Sequence, residues 1–305
     1  MAQTQKHIPV MLDEVLQAIN PQDGKTYVDA TFGNGGYTSA ILNMADCKVI
    51  ALDRDPTVVK RADELKKIYG DRFEFVAGRF GDFAKLVTQD IDGAVFDIGV
   101  SSMQIDTADR GFSFAKDGAL DMRMSLDGKS AKDIVNTYGE KELADILYNY
   151  GEEKKSYQIA RKIVQYREEK EISSTTELSE IIYSVIHKKF GEIDPATRTF
   201  QALRIAVNNE LEELQNGLEG AVLRLKSGAP IIVVSFHSLE ERIVKNYFKE
   251  KSGKTAGTSR YMPEVQKTAQ QIYFTKYSKA IAPSAEEIAR NPRSRSAKMR
   301  FALKS

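Results

Sequence analysis

Residues Tyr27 to Asp53 set the tightest limit on what this chain can fold into. They read Y-V-D-A-T-F-G-N-G-G-Y-T-S-A-I-L and, after a short break, C-K-V-I-A-L-D. Tyr27 to Ala30 suit a short buried strand, and Gly33, Asn34, Gly35 and Gly36 suit a tight turn. Thr38 to Met44 suit a helix, with Ala40, Ile41 and Met44 at helix-compatible apolar spacing. Lys48 to Leu52 suit a second strand that delivers Asp53 at its end. Strand, glycine turn, helix, strand and acid make the first half of a nucleotide-binding α/β unit. Glycine lets the backbone approach a ligand that a Cβ would block. An acid about 20 residues past the turn can accept from both ribose hydroxyls.

The turn is G-x-G-G and not the G-x-G-x-x-G that brings a helix N-terminus to a pyrophosphate. Asp29, just before it, would repel a phosphate but could pair with an ammonium. S-adenosylmethionine carries an amino-acid end and a ribose and no phosphate, so the stretch favours that cofactor over NAD. The plainer alternative is a glycine-rich βα turn with no ligand.

Further along, the α/β pattern continues, is interrupted, and returns. Ile8 to Ile19 predict an amphipathic helix, preceded by His7 and Pro9. Pro56 opens a helix through Tyr69. Phe73 to Val76 and Ala94 to Phe96 predict strands, with Phe80 beyond the first and Asp97 ending the second. An aromatic at Phe80 could stack on an adenine or pack in a core. Asp97 to Met124 is aperiodic, rich in Gly, Ser, Asp and Arg, yet carries Phe112, Phe114, Leu120, Met122 and Met124. Such a stretch is functional rather than disordered. Lys141–Tyr150, Glu152–Glu169 and Thr175–Phe190 predict three consecutive helices, the last with Ser174 and Glu177 as a capping box. Helices without strands read as an inserted subdomain. Asp194 and Pro195 should start a helix that runs to about Lys226, with a break at Gly217 or Gly220. Ile231 to Ser235 predict a strand ending at S-F-H-S-L-E, with His237 where strand meets loop. Lys249 to Gln270 is polar, and Gln271–Tyr277 and Lys298–Leu303 suit final strands.

Composition excludes several classes. At 42% hydrophobic and 29% charged, the chain is globular rather than disordered. No apolar run approaches a membrane span of roughly 18 residues, and the N-terminus has no apolar signal core. One cysteine, Cys47, excludes an internal disulfide framework and a cysteine zinc site. His7, His187 and His237 are scattered, so no metal is expected, and cytoplasm is the expected compartment. The net charge of +1 announces no nucleic-acid partner, but the last fifteen residues hold Arg293, Arg295, Lys298, Arg300 and Lys304 with no acid. That segment suits phosphate binding; a solvated tail is the alternative.

Taken together, H-I-P-V-M-L-D-E-V, D-A-T-F-G-N-G-G, L-D-R-D-P, D-I-G-V-S-S-M-Q-I-D, R-G-F-S-F, L-D-M-R-M, T-F-Q-A-L-R-I-A-V-N, S-F-H-S-L-E-E-R-I-V-K and N-P-R-S-R-S-A-K resemble, in order, the blocks of the RsmH (MraW) family. The likeness covers nearly the whole chain. The family methylates the exocyclic N4 amine of a cytidine in small-subunit ribosomal RNA. The resemblance implies an α/β fold, a doubly wound Rossmann-like class I methyltransferase sheet. In that reading 1–107 and 206–305 form the methyltransferase domain, and 108–205 an inserted, mostly helical substrate-recognition subdomain. It implies S-adenosyl-L-methionine held by Gly35, Gly36, Tyr37, Asp53, Phe80, Asp97 and Gln104. RNA contacts would come from Arg198 in P-A-T-R and from Arg293, Arg295 and Lys298. The partner is ribosomal RNA within the small subunit, in the decoding region of an assembled particle; no membrane is involved, and monomer and homodimer both stay open. Three departures stand out. Tyr37 and Asp194 occupy positions where the family commonly has histidine, and G-E-E-K-K-S-Y-Q replaces its G-E-E-R block. Tyr37 is expected to meet the cofactor through its backbone.

A cytosine amine is a weak nucleophile, so the chemistry needs alignment and an acceptor for the proton. Asp97, at the end of the fourth strand, is the first candidate, with Ser101 and Ser102 behind it. His237 is a candidate for positioning substrate, or else holds its own loop. Two other classes stay in view. A small-molecule or protein methyltransferase would ignore RNA. An assembly factor would bind subunits and transfer nothing.

Overall fold

The computed structural model describes residues 9–187, 191–253 and 271–305. His7, the end of the helix expected to reach Phe190, and most of the polar stretch before Gln271 lie outside the described residues. The chain divides into two compact units, Met1–Gly99 with Leu211–Ser305, and Val100–Glu210.

The first unit opens with α1 (Leu12–Ile19), β1 (Thr26–Asp29), α2 (Gly36–Met44), β2 (Lys48–Asp53), α3 (Val59–Tyr69), β3 (Phe73–Ala77), α4 (Phe83–Leu86) and β4 (Gly93–Asp97). The second contains α5 (Ser102–Asp106), α6 (Ala131–Thr137), α7 (Glu140–Gly151), α8 (Ser156–Glu169), α9 (Thr175–Val185) and α10 (Ala196–Asn208). The chain then returns through α11 (Glu210–Arg224), β5 (Pro230–Ser235), α12 (Ser238–Lys251), β6 (Phe274–Tyr277), α13 (Ala285–Arg290) and β7 (Lys298–Lys304).

Seven strands form one sheet in the order β3-β2-β1-β4-β5-β7-β6, with only β7 antiparallel to its neighbours. This is the doubly wound, Rossmann-like sheet that the sequence predicts. Its central strands are apolar along their whole length because both faces are covered. Alternation then sorts the side chains between two cores. Ile50, Leu52, Phe96, Ile231 and Val233 meet Leu214 and Leu218 of α11 and Phe248 of α12. Val49, Ala51, Val95, Ile232 and Val234 meet Val15 and Ile19 of α1 and Leu65 of α3. After β3 the chain crosses back to place β4 beside β1. That reversal opens a crevice at the C-terminal ends of β1 and β4.

In the second unit the helices enclose their own core of Leu143, Leu147, Ile159, Ile163, Leu178, Ile182 and Leu203. The aperiodic segment before α6 is anchored rather than loose. Leu120 and Met122 are fully buried. The Asn208 side chain donates to Met122 O at 2.7 Å and accepts from Met124 N at 2.9 Å. Ser174 and Glu177 form the expected capping box.

Three expectations change. α1 starts at Leu12 and not near Ile8, because Met11 sits at φ 53°, outside helical geometry. The long helix after Asp194 is two helices, and the break falls at left-handed Asn209 (φ 54°) rather than at Gly217 or Gly220. Those glycines lie within α11 as contact points: a Cβ on Gly217 would come 2.7 Å from the Phe80 ring, and one on Gly220 would come 2.9 Å from Ala84 N. Finally α4, α5, α6, α12 and α13 were not foreseen. Short or strongly charged helices carry little apolar periodicity.

Candidate active site

Three parallel strands end on an aspartate: β1 on Asp29, β2 on Asp53 and β4 on Asp97. All three carboxyls belong to the same end of the sheet, where an α/β fold takes its ligand.

Asp29 is fully buried and already engaged. Its carboxylate accepts from Thr38 Oγ1 at 2.7 Å, Thr38 N at 3.2 Å and Thr31 N at 3.3 Å. It therefore ties the glycine turn to the first turn of α2, where a negative charge is favoured. Burial pushes its pKa up to about 6, against the hydrogen bond from Thr38. An ammonium partner, suggested for Asp29 from the sequence, suits it less well, since the carboxylate is fully buried and already accepts three hydrogen bonds.

Asp97 is the opposite case. Its N–H donates to Thr31 Oγ1 at 2.7 Å, which fixes the backbone. Its buried Oδ1 accepts from no group among the described residues. Burial, and then the negative charges of Asp29 and Glu240, push its pKa up to about 8, while the Tyr37 hydroxyl works the other way. No lysine or arginine among the described residues pairs with Asp29, Asp97 or Glu240. A buried acceptor without a donor is costly. A cationic donor such as an ammonium would supply both the missing hydrogen bond and the missing charge. The residues present thus fit the amino-acid end of S-adenosylmethionine.

Asp53 orders the turn. Its Oδ2 accepts from Gly33 N at 2.7 Å and its Oδ1 from Asp55 N at 2.9 Å; burial raises its pKa despite these bonds. Each oxygen keeps a second lone pair for a ribose hydroxyl. The glycines of the turn differ in purpose. At Gly33 (φ 51°) a Cβ would meet nothing closer than Thr31 O at 4.0 Å, so the backbone there is open to approach. A Cβ on Gly35 (φ 72°) would come 2.6 Å from Leu65 and 2.8 Å from Phe32; one on Gly36 would come 2.2 Å from Pro9. Gly35 and Gly36 are required first by packing within the protein.

Tyr37 is buried with its side chain inward, donating its hydroxyl to Val10 O. Burial, and then the charges of Asp97 and Asp29, hold that hydroxyl well above its ordinary pKa. Phe80 is half-buried, edge-on to Phe96 at 5.8 Å, and a Cβ on Gly217 would press on its ring.

His237 is the N-cap of α12. Its Nδ1 accepts from Glu240 N at 3.5 Å, and its Nε2 lies 2.9 Å from Glu240 Oε1 without hydrogen-bond alignment. Glu240 completes the box, its Oε2 accepting from Phe236 N at 2.8 Å and His237 N at 3.2 Å. The sequence reading missed Glu240, Thr31 and Thr38. H-x-x-E at the end of a strand was a legible capping signal; the two threonines gave none.

The other candidates fall as follows. In the second unit, Ser101 is the N-cap of α5: its Oγ accepts from Gln104 N at 3.2 Å, and the Gln104 side chain accepts from Ser101 N at 3.0 Å. Arg198, on α10, lies 3.9 Å from Glu153. In the first unit, Arg293 and Arg295 are exposed on a short 3-10 turn, and Lys298 is exposed at the start of β7.

Comparison with known proteins gives the family. The sequence profile described as the MraW methylase family matches residues 4–305. A protein of Rickettsia massiliae (strain Mtu5) named ribosomal RNA small subunit methyltransferase H is 54% identical over 301 residues, covering 98% of each chain. Its namesake in Rickettsia akari (strain Hartford) is 53% identical over 304 residues, covering 98% of this chain and 99% of its own. That of Rickettsia bellii (strain OSU 85-389) is 52% identical over 302 residues, with the same coverage.

Proposed function

The chain belongs to the MraW methylase family, and from that premise we propose that it methylates small-subunit ribosomal RNA at the N4 amine of one cytidine, in the decoding region of an assembled subunit. The methyl donor is S-adenosylmethionine, which when bound supplies a methyl already activated on a sulfonium. The single observation that carries the reading is the buried, unpartnered Oδ1 of Asp97 in the crevice beside the glycine turn. The relatives' names supply the substrate class, and the family resemblance supplies the cytidine.

In this reading Asp97 holds a cationic or amine donor at the crevice, Asp53 takes the ribose, and Gly33 admits the ligand's approach. By the family resemblance Gly35, Gly36, Tyr37, Phe80 and Gln104 also belong to the cofactor-binding set, Tyr37 by fixing the turn from behind. The cytosine lone pair is delocalised into the ring, so the protein's task is mainly to align the amine with the methyl. An acceptor must also take its proton; Asp97 is the first candidate, with Ser101 and His237 after it. A base in structured RNA must be splayed out to reach such a crevice. The helical unit and Arg198, Arg293, Arg295 and Lys298 would grip the surrounding RNA. Such an enzyme works in the cytoplasm. No helix among the described residues is long and apolar enough to cross a membrane.

The test is incubation with labelled S-adenosylmethionine and small subunits from a strain lacking the enzyme, followed by mass mapping of nucleosides. The expected product is a single N4-methylated cytidine. Label on protein, or on no RNA at all, would contradict the proposal.

A further inference from the structure

The last stretch of the chain, 211–305, carries 17 lysines and arginines against 9 acids. On α12 these charges have an order. Ser238, Arg242, Lys245 and Lys249 recur at intervals of three and four, so they share one side of the helix. Arg242 and Lys245 are exposed and Lys249 half-buried. The opposite side, Val244 and Phe248, is in the core.

Of the three acids on α12, Glu250 is exposed at its C-terminal end and the other two are withdrawn from that face. Glu240 is buried beneath the helix start. Glu241 is gripped by the Arg300 guanidinium, with Nε at 3.1 Å and Nη2 at 2.5 Å from the same oxygen. Burial opposes ionisation there, but Arg300 holds the Glu241 carboxyl below its usual range, with Lys298 and Lys245 adding to the effect. Lys245 of α12 and Lys298 of β7 thus both act on Glu241 through their charge. Among the described residues, Lys245, Lys249 and Lys298 have no ion-pair partner.

The face also has a direction. Lys298 lies opposite Ser235 in the sheet register, and Asp97 lies opposite Val234. The basic surface thus begins at the crevice end of the sheet, next to His237. From Arg242 to Lys249 it runs about 10 Å along the helix, at roughly 1.5 Å per residue.

We propose that this outer face of α12, with Lys245, Lys249 and Lys298 as its charges, docks the phosphate backbone of ribosomal RNA leading to the target base. The proposal rests on the function proposed above and extends the RNA contact expected at Lys298 onto α12, which sequence reading did not supply. Charges at the crevice mouth position a strand without reading its sequence, as phosphate contacts do.

The experiment compares the parent chain with Lys245→Gln/Lys249→Gln and with a control, Lys60→Gln/Lys67→Gln, whose lysines are exposed on α3. Affinity for purified small subunits is measured across salt concentrations, together with S-adenosylmethionine affinity and methyl transfer. The α12 variant should bind about tenfold or more weakly, and its log–log salt slope should fall by about 1.4–1.8, for two phosphate contacts at 0.7–0.9 each. Cofactor affinity should be unchanged, which also shows that the variant is folded, and the control should match the parent. If the parent transfers methyl to subunits and the α12 variant keeps its affinity and slope, the surface is not used and the inference falls. An equal loss in the control overturns it as well, since net charge alone would then explain the effect. A parent that neither binds nor methylates subunits would overturn the underlying function together with this surface.

Discussion

The ring of Pro9 fills the space that a side chain at Gly36 would need: a Cβ there would come 2.2 Å from Pro9 Cγ. Pro9 and the glycine turn, 27 residues apart at Gly36, are thus packed together, which Tyr37 reinforces by donating to Val10 O. Gly36→Ala should destabilise the protein by about 1–3 kcal/mol, the range for overpacking. Adding Pro9→Ala should recover part of the loss through coupling between contacting residues. Denaturant unfolding of the two single variants and the double variant measures it. Strict additivity would mean that the contact is not what requires glycine.

The break between α10 and α11 rests on Asn209 in left-handed geometry. Asn209→Ala should lose about 1–2 kcal/mol, the cost of that conformation for an ordinary side chain. Asn209→Gly should lose less, because glycine adopts it freely. Unfolding midpoints that rank alanine above glycine would show that the backbone does not set the break.

Asp97 predicts a pH dependence with a definite sign. Its folded pKa, about 8, is above the ordinary carboxyl value of 3.8. The folded state therefore keeps the proton longer than the unfolded chain. That contribution to stability is full below about pH 4 and is lost as pH rises towards 8. Asp29, raised to about 6, acts in the same direction over a narrower range. Without cofactor, thermal unfolding of the parent should shift downward between pH 6 and pH 8 more than that of Asp97→Asn, which has no proton to lose. Equal shifts in the two proteins would remove Asp97 as the source.

Much of this architecture was legible because it rests on local patterns. The parallel strands are uninterrupted apolar runs, and the turn announces itself in Gly33, Gly35 and Gly36. What escaped was set by distant partners. Asp29 and Asp97 look alike in sequence, each ending a strand. Only Thr38, which supplies Asp29 with two donors, separates an engaged carboxyl from an open one. Gly217 reads as a helix breaker until Phe80, far away in sequence, is found against it. The charged face of α12 was hidden for a third reason: Glu240 and Glu241 balance its lysines in the sequence, whereas burial and Arg300 remove both from the surface in the fold.

The central claim is that Asp97 organises the transfer step, and single-turnover methylation by Asp97→Asn tests it most directly. The variant keeps the size and one acceptor oxygen and loses the charge. With saturating S-adenosylmethionine and small subunits, the rate of methyl transfer isolates the step from binding. The account predicts a rate lower by about 10²-fold or more, the scale of a group that takes or orients a proton, with subunit binding intact. Transfer at the parent rate would contradict it and leave Asp97 a structural residue.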